Sequence, residues 1–92
     1  MEQFSFRIEK QLPNGLGRAG IITTPHGQIR TPAFMVVGTH GQVKFISPAQ
    51  LHNLKAQAML SNGYHLRHQA LNIAQAGGLA KWSNWLGPTL TD

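Results

Sequence analysis

Residues 33–38 read AFMVVG, an apolar run without any polar interruption. A strand with one face in water alternates apolar and polar side chains, whereas a strand covered on both faces has no need to. The run therefore predicts a strand buried on both sides in a parallel sheet. It begins just after Thr31-Pro32, where the character of the chain changes.

The residues downstream of this run support a parallel arrangement. In SPAQLHNLKAQA (residues 47–58), Ser47 suits a helix N-cap, Pro48 the first helical position and Gln50 the third residue of a capping box. Leu51, Leu54 and Ala58 would line one side of that helix. AMLSN (residues 58–62) returns to strand. HQALNIAQAGG (residues 68–78) reads as a second helix, with Leu71, Ala74 and Ala76 partly inward and Gly77-Gly78 ending it. WSNWLGP (residues 82–88) reads as a loop or short turn, and TLT (residues 89–91) as a third buried strand. The order β-α-β-α-β implies parallel pairing with right-handed crossovers.

Upstream the pattern is different. In FSFRIEK, Phe4, Phe6 and Ile8 alternate with Ser5, Arg7 and Glu9, the period of a half-buried strand. Asn14-Gly15 is a turn signal, AGIITT a second strand, Pro25-His26-Gly27 a turn and QIR a short third strand. The expected organisation is one α/β domain: residues 1–31 an antiparallel β cap, residues 32–92 a β-α-β-α-β unit. The last six residues, GPTLTD, run from turn to strand to carboxylate with no helix after them. The unit is thus expected to be the opening part of something larger, truncated after its third strand.

Composition narrows the function. The chain has eight Lys and Arg against three acids and a formal charge of +5. Those acids are Glu2, Glu9 and Asp92, so no carboxylate stands between Lys10 and Thr91. A basic surface without internal neutralisation attracts polyanions, nucleic acid first among them. Cysteine is absent, which removes disulfides, thiolate zinc sites and thiol nucleophiles together. No apolar run approaches the roughly 20 residues of a membrane span, and MEQFSFRIEK is no signal peptide. The expectation is a cytoplasmic protein without membrane contact.

Chemistry in parallel α/β folds gathers at the C-terminal ends of the strands. Gly38-Thr39-His40, Asn62-Gly63-Tyr64-His65 and Asp92 fall there. Asn62 offers an amide to a heterocycle edge, or caps a strand end. Tyr64 stacks on a base, or packs. His65 is an acid, a base or a structural hydrogen-bonder. Asp92 is a general acid or base, a partner for a ligand N–H, or a solvated terminal carboxylate. Trp82 and Trp85 either stack on bases or cover the bottom of a sheet. His26, His40, His52, His65 and His68 include one helical spacing, His65 and His68, but no acid or thiol stands near to complete a metal site.

TPAFMVVGT (residues 31–39), the Ser-Pro helix start, NGYHL (residues 62–66) and GPTLTD, in this order and spacing, resemble the tRNA-guanine transglycosylases, also called queuine tRNA-ribosyltransferases. The likeness covers nearly everything from about Gly17 onward. It implies an irregular (β/α)8 TIM barrel with an antiparallel sheet over its N-terminal end. It also implies exchange of a guanine in the tRNA anticodon loop for a 7-deazaguanine base, through a covalent enzyme–ribose intermediate. Asp92 would then recognise the base and accept or donate a proton. Asn62 and His65 would orient the base or hold Asp92, and Val37 to Thr39, with Gly38, would form the adjoining wall. Zinc belongs to the full-length family, with ligands outside these residues, as does the nucleophilic aspartate. The implied partners are tRNA, the guanine or 7-deazaguanine base, and a second copy or paired subunit. Three positions depart from the family pattern: Gly63 replaces a threonine, RHQAL replaces an Arg-Pro-Gly turn, and Val36 replaces a proline. A reading from another class is a small basic module that binds RNA or a partner subunit without catalysis.

Overall fold

The computed structural model describes residues 4–92; the first three residues of the expected cap, Glu2 among them, lie outside the described residues. The chain is a mixed α/β structure with one antiparallel and one parallel sheet, each of three strands.

The antiparallel sheet has the order β1 (Ser5–Gln11), β2 (Arg18–Thr24), β3 (Gly27–Thr31). Its tight second turn is built locally. Gly27 takes φ 129°, a conformation that disfavours side chains. The Thr24 hydroxyl donates to the Gly27 carbonyl (2.8 Å) and accepts from the His26 N–H (3.1 Å). The alternation in β1 does form a strand, with a register shift between Ile8 and Lys10. The expected half-burial does not follow, because Phe6 and Ile8 remain 50% and 47% exposed. β1 is an edge strand, and the Phe6 ring is spent covering the backbone of Gly20, where an added Cβ would lie 2.7 Å from it.

The parallel sheet has the order β4 (Val36–Val37), β5 (Met59–Ser61), β6 (Thr89–Thr91). Val36, Met59 and Thr89 form one cross-strand row, and Val37, Leu60 and Leu90 the next. Successive residues point to opposite faces, so the rows belong to different sides of the sheet. The Met59 side carries the core: Leu51, Met59 and Trp85 are buried, with Val36, Val43, Ile46 and Ala56 packed on them. On the other side Val37 is 56% and Leu90 49% exposed. This corrects two expectations, that AFMVVG would be buried on both faces and that TLT would be a buried strand. They are the two edge strands, and the chain covers one side of them alone, with Leu51 and Trp85.

Helix α1 (Pro48–Asn53) connects β4 to β5 with the expected start: the Ser47 hydroxyl accepts from the Gln50 N–H, and the Gln50 side chain accepts from the Ser47 N–H. It ends sooner than the pattern suggested. Leu54 is its C-cap and Lys55 turns to φ 67°, so Leu51 is buried while Leu54 is exposed. Between β5 and β6 the chain forms α2 (Gly63–Leu66), a 3-10 turn (Arg67–Gln69), α3 (Ala70–Ala76) and α4 (Leu79–Ser83). Two corrections arise here. Leu71, Ala74 and Ala76 face solvent rather than inward, and Trp82 lies within a helix rather than a loop. Gly77 and Gly78, at φ 98° and 116°, do stop α3, but the chain then turns back into α4.

Gln57 joins the two sheets. Its side-chain oxygen accepts from the Arg30 N–H (2.7 Å) and its nitrogen donates to the Arg30 carbonyl (3.1 Å), so one primary amide pairs with β3 as a neighbouring strand would. The join leaves the molecule elongated. Its radius of gyration is 14.9 Å, against about 12 Å for a compact domain of this length. Its accessible surface is 6879 Å², against about 5,300 Å² for a compact protein of this mass.

Candidate functional site

The C-terminal ends of β4, β5 and β6 are laced together by main-chain hydrogen bonds. The Gly38 N–H donates to the Leu60 carbonyl (2.7 Å), and the Asn62 N–H to the Thr39 carbonyl (3.2 Å). The Asp92 N–H donates to the Ser61 carbonyl (3.2 Å), and the Asp92 carbonyl accepts from the Gly63 N–H (2.9 Å). Thr39, Asn62 and Asp92 each stand two residues beyond the Val37–Leu60–Leu90 row. Residues far apart in sequence therefore end level with one another at one mouth of the sheet.

Each sequence-predicted site residue can be placed there. Gly38 is buried, and its lack of a side chain is required by packing: an added Cβ would lie 2.5 Å from Met59 Sδ. Thr39 is half-buried beside it. Gly41 closes the same loop at φ 86°, where an added Cβ would lie 2.6 Å from the Trp82 ring. Trp82 therefore packs beside the loop that follows β4, and not under the sheet. Trp85 does sit at the opposite end, with Nε1 donating to the Pro88 carbonyl (3.0 Å).

Asn62 is the N-cap of α2, its Oδ1 accepting from the His65 N–H (3.0 Å). A cap of this kind satisfies one of the helix's free donors and uses the carbonyl half of the amide, so the NH2 group remains a donor for a ligand. Asn62 thus caps the start of a helix rather than a strand end. His65 is exposed, with its ring 5.4 Å from that of His40 and 5.6 Å, edge-on, from Tyr64. Asp92 is exposed, and its bonds to the site run through its backbone. Among the described residues no side-chain hydrogen bond joins its carboxylate to Asn62 or His65.

Two features escape a reading of the sequence. Gly63 lies so close to Asp92 that an added Cβ would be 3.3 Å from the Asp92 carbonyl oxygen. Arg67 lays its guanidinium over Tyr64, with Cζ 3.8 Å from the ring centroid. The spacing of Tyr64 and Arg67, three residues on a helical turn, is a signal that could have found the pair.

Charge at this mouth is uneven. Asp92 is its one side-chain carboxylate, while the ion pair formed among the described residues, Arg7 with Glu9, lies on β1 of the other sheet and is solvent-exposed. No group of three His, Asp, Glu or Cys converges among the described residues. The resemblance puts the family's zinc ligands outside these residues, and no chemical step here runs through zinc. No helix among them is long and apolar enough to cross a membrane.

Comparison with known proteins finds relatives along the whole chain. A family model described as Queuine tRNA-ribosyltransferase matches residues 14–92. The queuine tRNA-ribosyltransferase of Synechococcus elongatus is 50% identical over 91 residues, which cover 97% of this chain and 24% of that protein. The enzyme of that name from Rickettsia bellii is 51% identical over 94 aligned residues, covering all of this chain and 26% of its own length. The one from Rickettsia felis is 50% identical over the same span. The chain spans about a quarter of the length of the curated relatives it matches. Because the family match runs from residue 14 to residue 92, through β2, β3 and the whole parallel sheet, and relatives about half identical cover the chain, the chain belongs to the queuine tRNA-ribosyltransferase family.

Proposed function

We propose that this chain is the N-terminal part of a tRNA-guanine transglycosylase, a pentosyltransferase that exchanges guanine for a 7-deazaguanine base in the tRNA anticodon loop during queuosine biosynthesis. The observation that carries the reading is the level row of Thr39, Asn62 and Asp92 at the C-terminal mouth of three parallel strands. That is where α/β folds hold their ligands. On this reading the antiparallel sheet is the cap (residues 1–31), and residues 32–92 are the opening β-α-β-α-β of a (β/α)8 barrel.

The roles rest on chemistry. The Asp92 carboxylate accepts hydrogen bonds from the N–H edge of a purine-like base, and one of its oxygens takes up or returns a proton as the leaving and entering bases exchange. The Asn62 NH2 donates to an acceptor on the base or ribose. His65 orients the same ligand, and Gly38 with Thr39 forms the wall beside it. The nucleophile for the ribose and the family's zinc ligands belong to the remaining length of the relatives. The partners are tRNA and the guanine or 7-deazaguanine base, in a cytoplasmic protein that works as a homodimer or a paired subunit. A non-catalytic RNA-binding module is the less favoured reading, because the similar proteins bear the name of a transferase.

Incorporation of labelled guanine into tRNA by the complete encoded protein tests this. Asp92→Asn is expected to lower exchange by about 10²-fold or more with the circular dichroism unchanged. Full exchange activity in the variant would remove Asp92 from the chemistry.

A further inference from the structure

Arg67 is held by two contacts at once. Its guanidinium lies flat over Tyr64, 3.8 Å from the ring centroid, and Nη1 donates to the Tyr64 carbonyl (2.7 Å). Tyr64 itself is 66% exposed and follows Gly63, whose N–H is bonded to the Asp92 carbonyl. The edge of the ring meets His65, and His65 meets His40. A flexible cation has thus been fixed beside the mouth of the sheet, and the rest of its N–H fork is left to donate. Among the described residues no carboxylate pairs with it.

Unpaired arginines on exposed helices normally sample many rotamers, and ordering one costs side-chain entropy. Here the stack on Tyr64 and the backbone bond hold it in place before any ligand arrives. A planar fork held in place suits a tetrahedral oxyanion, which it can grip with paired charge-assisted hydrogen bonds. We propose that the Tyr64–Arg67 stack binds a backbone phosphate of single-stranded RNA, next to the nucleotide whose base enters the Asp92 pocket. This rests on the tRNA-directed reading above. It assigns Arg67 the grip on the phosphate, Tyr64 the support beneath it, and the His65–His40 pair the flank along which the strand runs.

The test is binding of a fluorescein-labelled RNA anticodon stem-loop to the complete encoded protein, by anisotropy across a salt series. Each phosphate neutralised on single-stranded nucleic acid adds about 0.7 to the slope of log K against log salt. Arg67→Gln is expected to flatten the slope by about that amount and to weaken binding roughly tenfold, the order of one lost charged hydrogen bond. Arg67→Lys should keep the slope, since the charge stays, and lose affinity with the fork. Lys55→Gln, in the turn before β5 at the opposite end of the sheet, is the control for general charge. Equal losses in Arg67→Gln and Lys55→Gln would overturn the site while leaving the function standing. So would wild-type protein that exchanges guanine yet shows no salt-dependent grip on the stem-loop. Failure of guanine exchange with binding and the Arg67 effect intact would instead count against the proposed function and leave the phosphate site.

Discussion

Substituting Gly38 by alanine tests whether the mouth of the parallel sheet is packed as described. The new Cβ would lie 2.5 Å from Met59 Sδ and 3.0 Å from Cγ, with the Gln42 carbonyl carbon at 3.2 Å. Met59 would have to retreat by about 1 Å to reach ordinary contact, and it is only 1% exposed, walled in by Leu51 and Trp85. Overpacking of a filled core costs about 1–3 kcal/mol. Gly38 lies outside the left-handed region, so alanine restrains the unfolded chain without native strain, which returns about 0.4–1 kcal/mol. The net expectation is destabilisation of about 1–2 kcal/mol. Gly63→Ala is the matched comparison at the same mouth. Its backbone is also ordinary, but its nearest neighbour is the Asp92 carbonyl oxygen at 3.3 Å, at an exposed position. A shift of a few tenths of an ångström there relieves the contact, so that variant should stay within about 0.5 kcal/mol of the parent. Urea titration followed by tryptophan fluorescence reads both, since Trp85 packs on Met59. A Gly38→Ala midpoint equal to or above that of the parent, at unchanged slope, would refute the packing argument.

Local geometry gives three more expectations. Gln57→Ala removes both bonds to Arg30 and should cost about 1–2 kcal/mol, with faster hydrogen exchange at the Arg30 amide in β3 as its direct readout. Ser47→Ala removes half of the capping box of α1 and should cost about 1 kcal/mol in the same urea titration; a cost below about 0.3 kcal/mol would mean that packing alone holds that helix. Met59→Ala empties the centre of the core and should cost about 2–5 kcal/mol, the largest stability loss among these variants.

Much of the local fold is legible in the sequence because local rules write it. The capping box of α1 needs only Ser47, Pro48 and Gln50, and it forms as read. The turn at Gly27 and the break at Gly77-Gly78 come from positive φ, which a few residues decide among themselves. Burial is legible less often. Phe6, Leu54 and Leu71 carry apolar patterns yet stand 50%, 69% and 68% exposed, since a pattern states which face seeks cover and not whether cover exists.

The sequence by itself determined the positions of the strands, the capped start of α1, the basic character and the ordering of TPAFMVVGT, NGYHL and GPTLTD that marks the family. These depend on residue type and spacing along the chain. Only the tertiary structure decided that Thr39, Asn62 and Asp92 stand level, that Gly38 must lack a side chain beside Met59, that Gln57 acts as a strand partner for β3, and that Arg67 rests on Tyr64. Each of those is a distance between residues set by strand register and by which side of the sheet the helices cover. Register and cover are properties of the assembled chain, fixed when its hydrogen-bonded rows and its core close together.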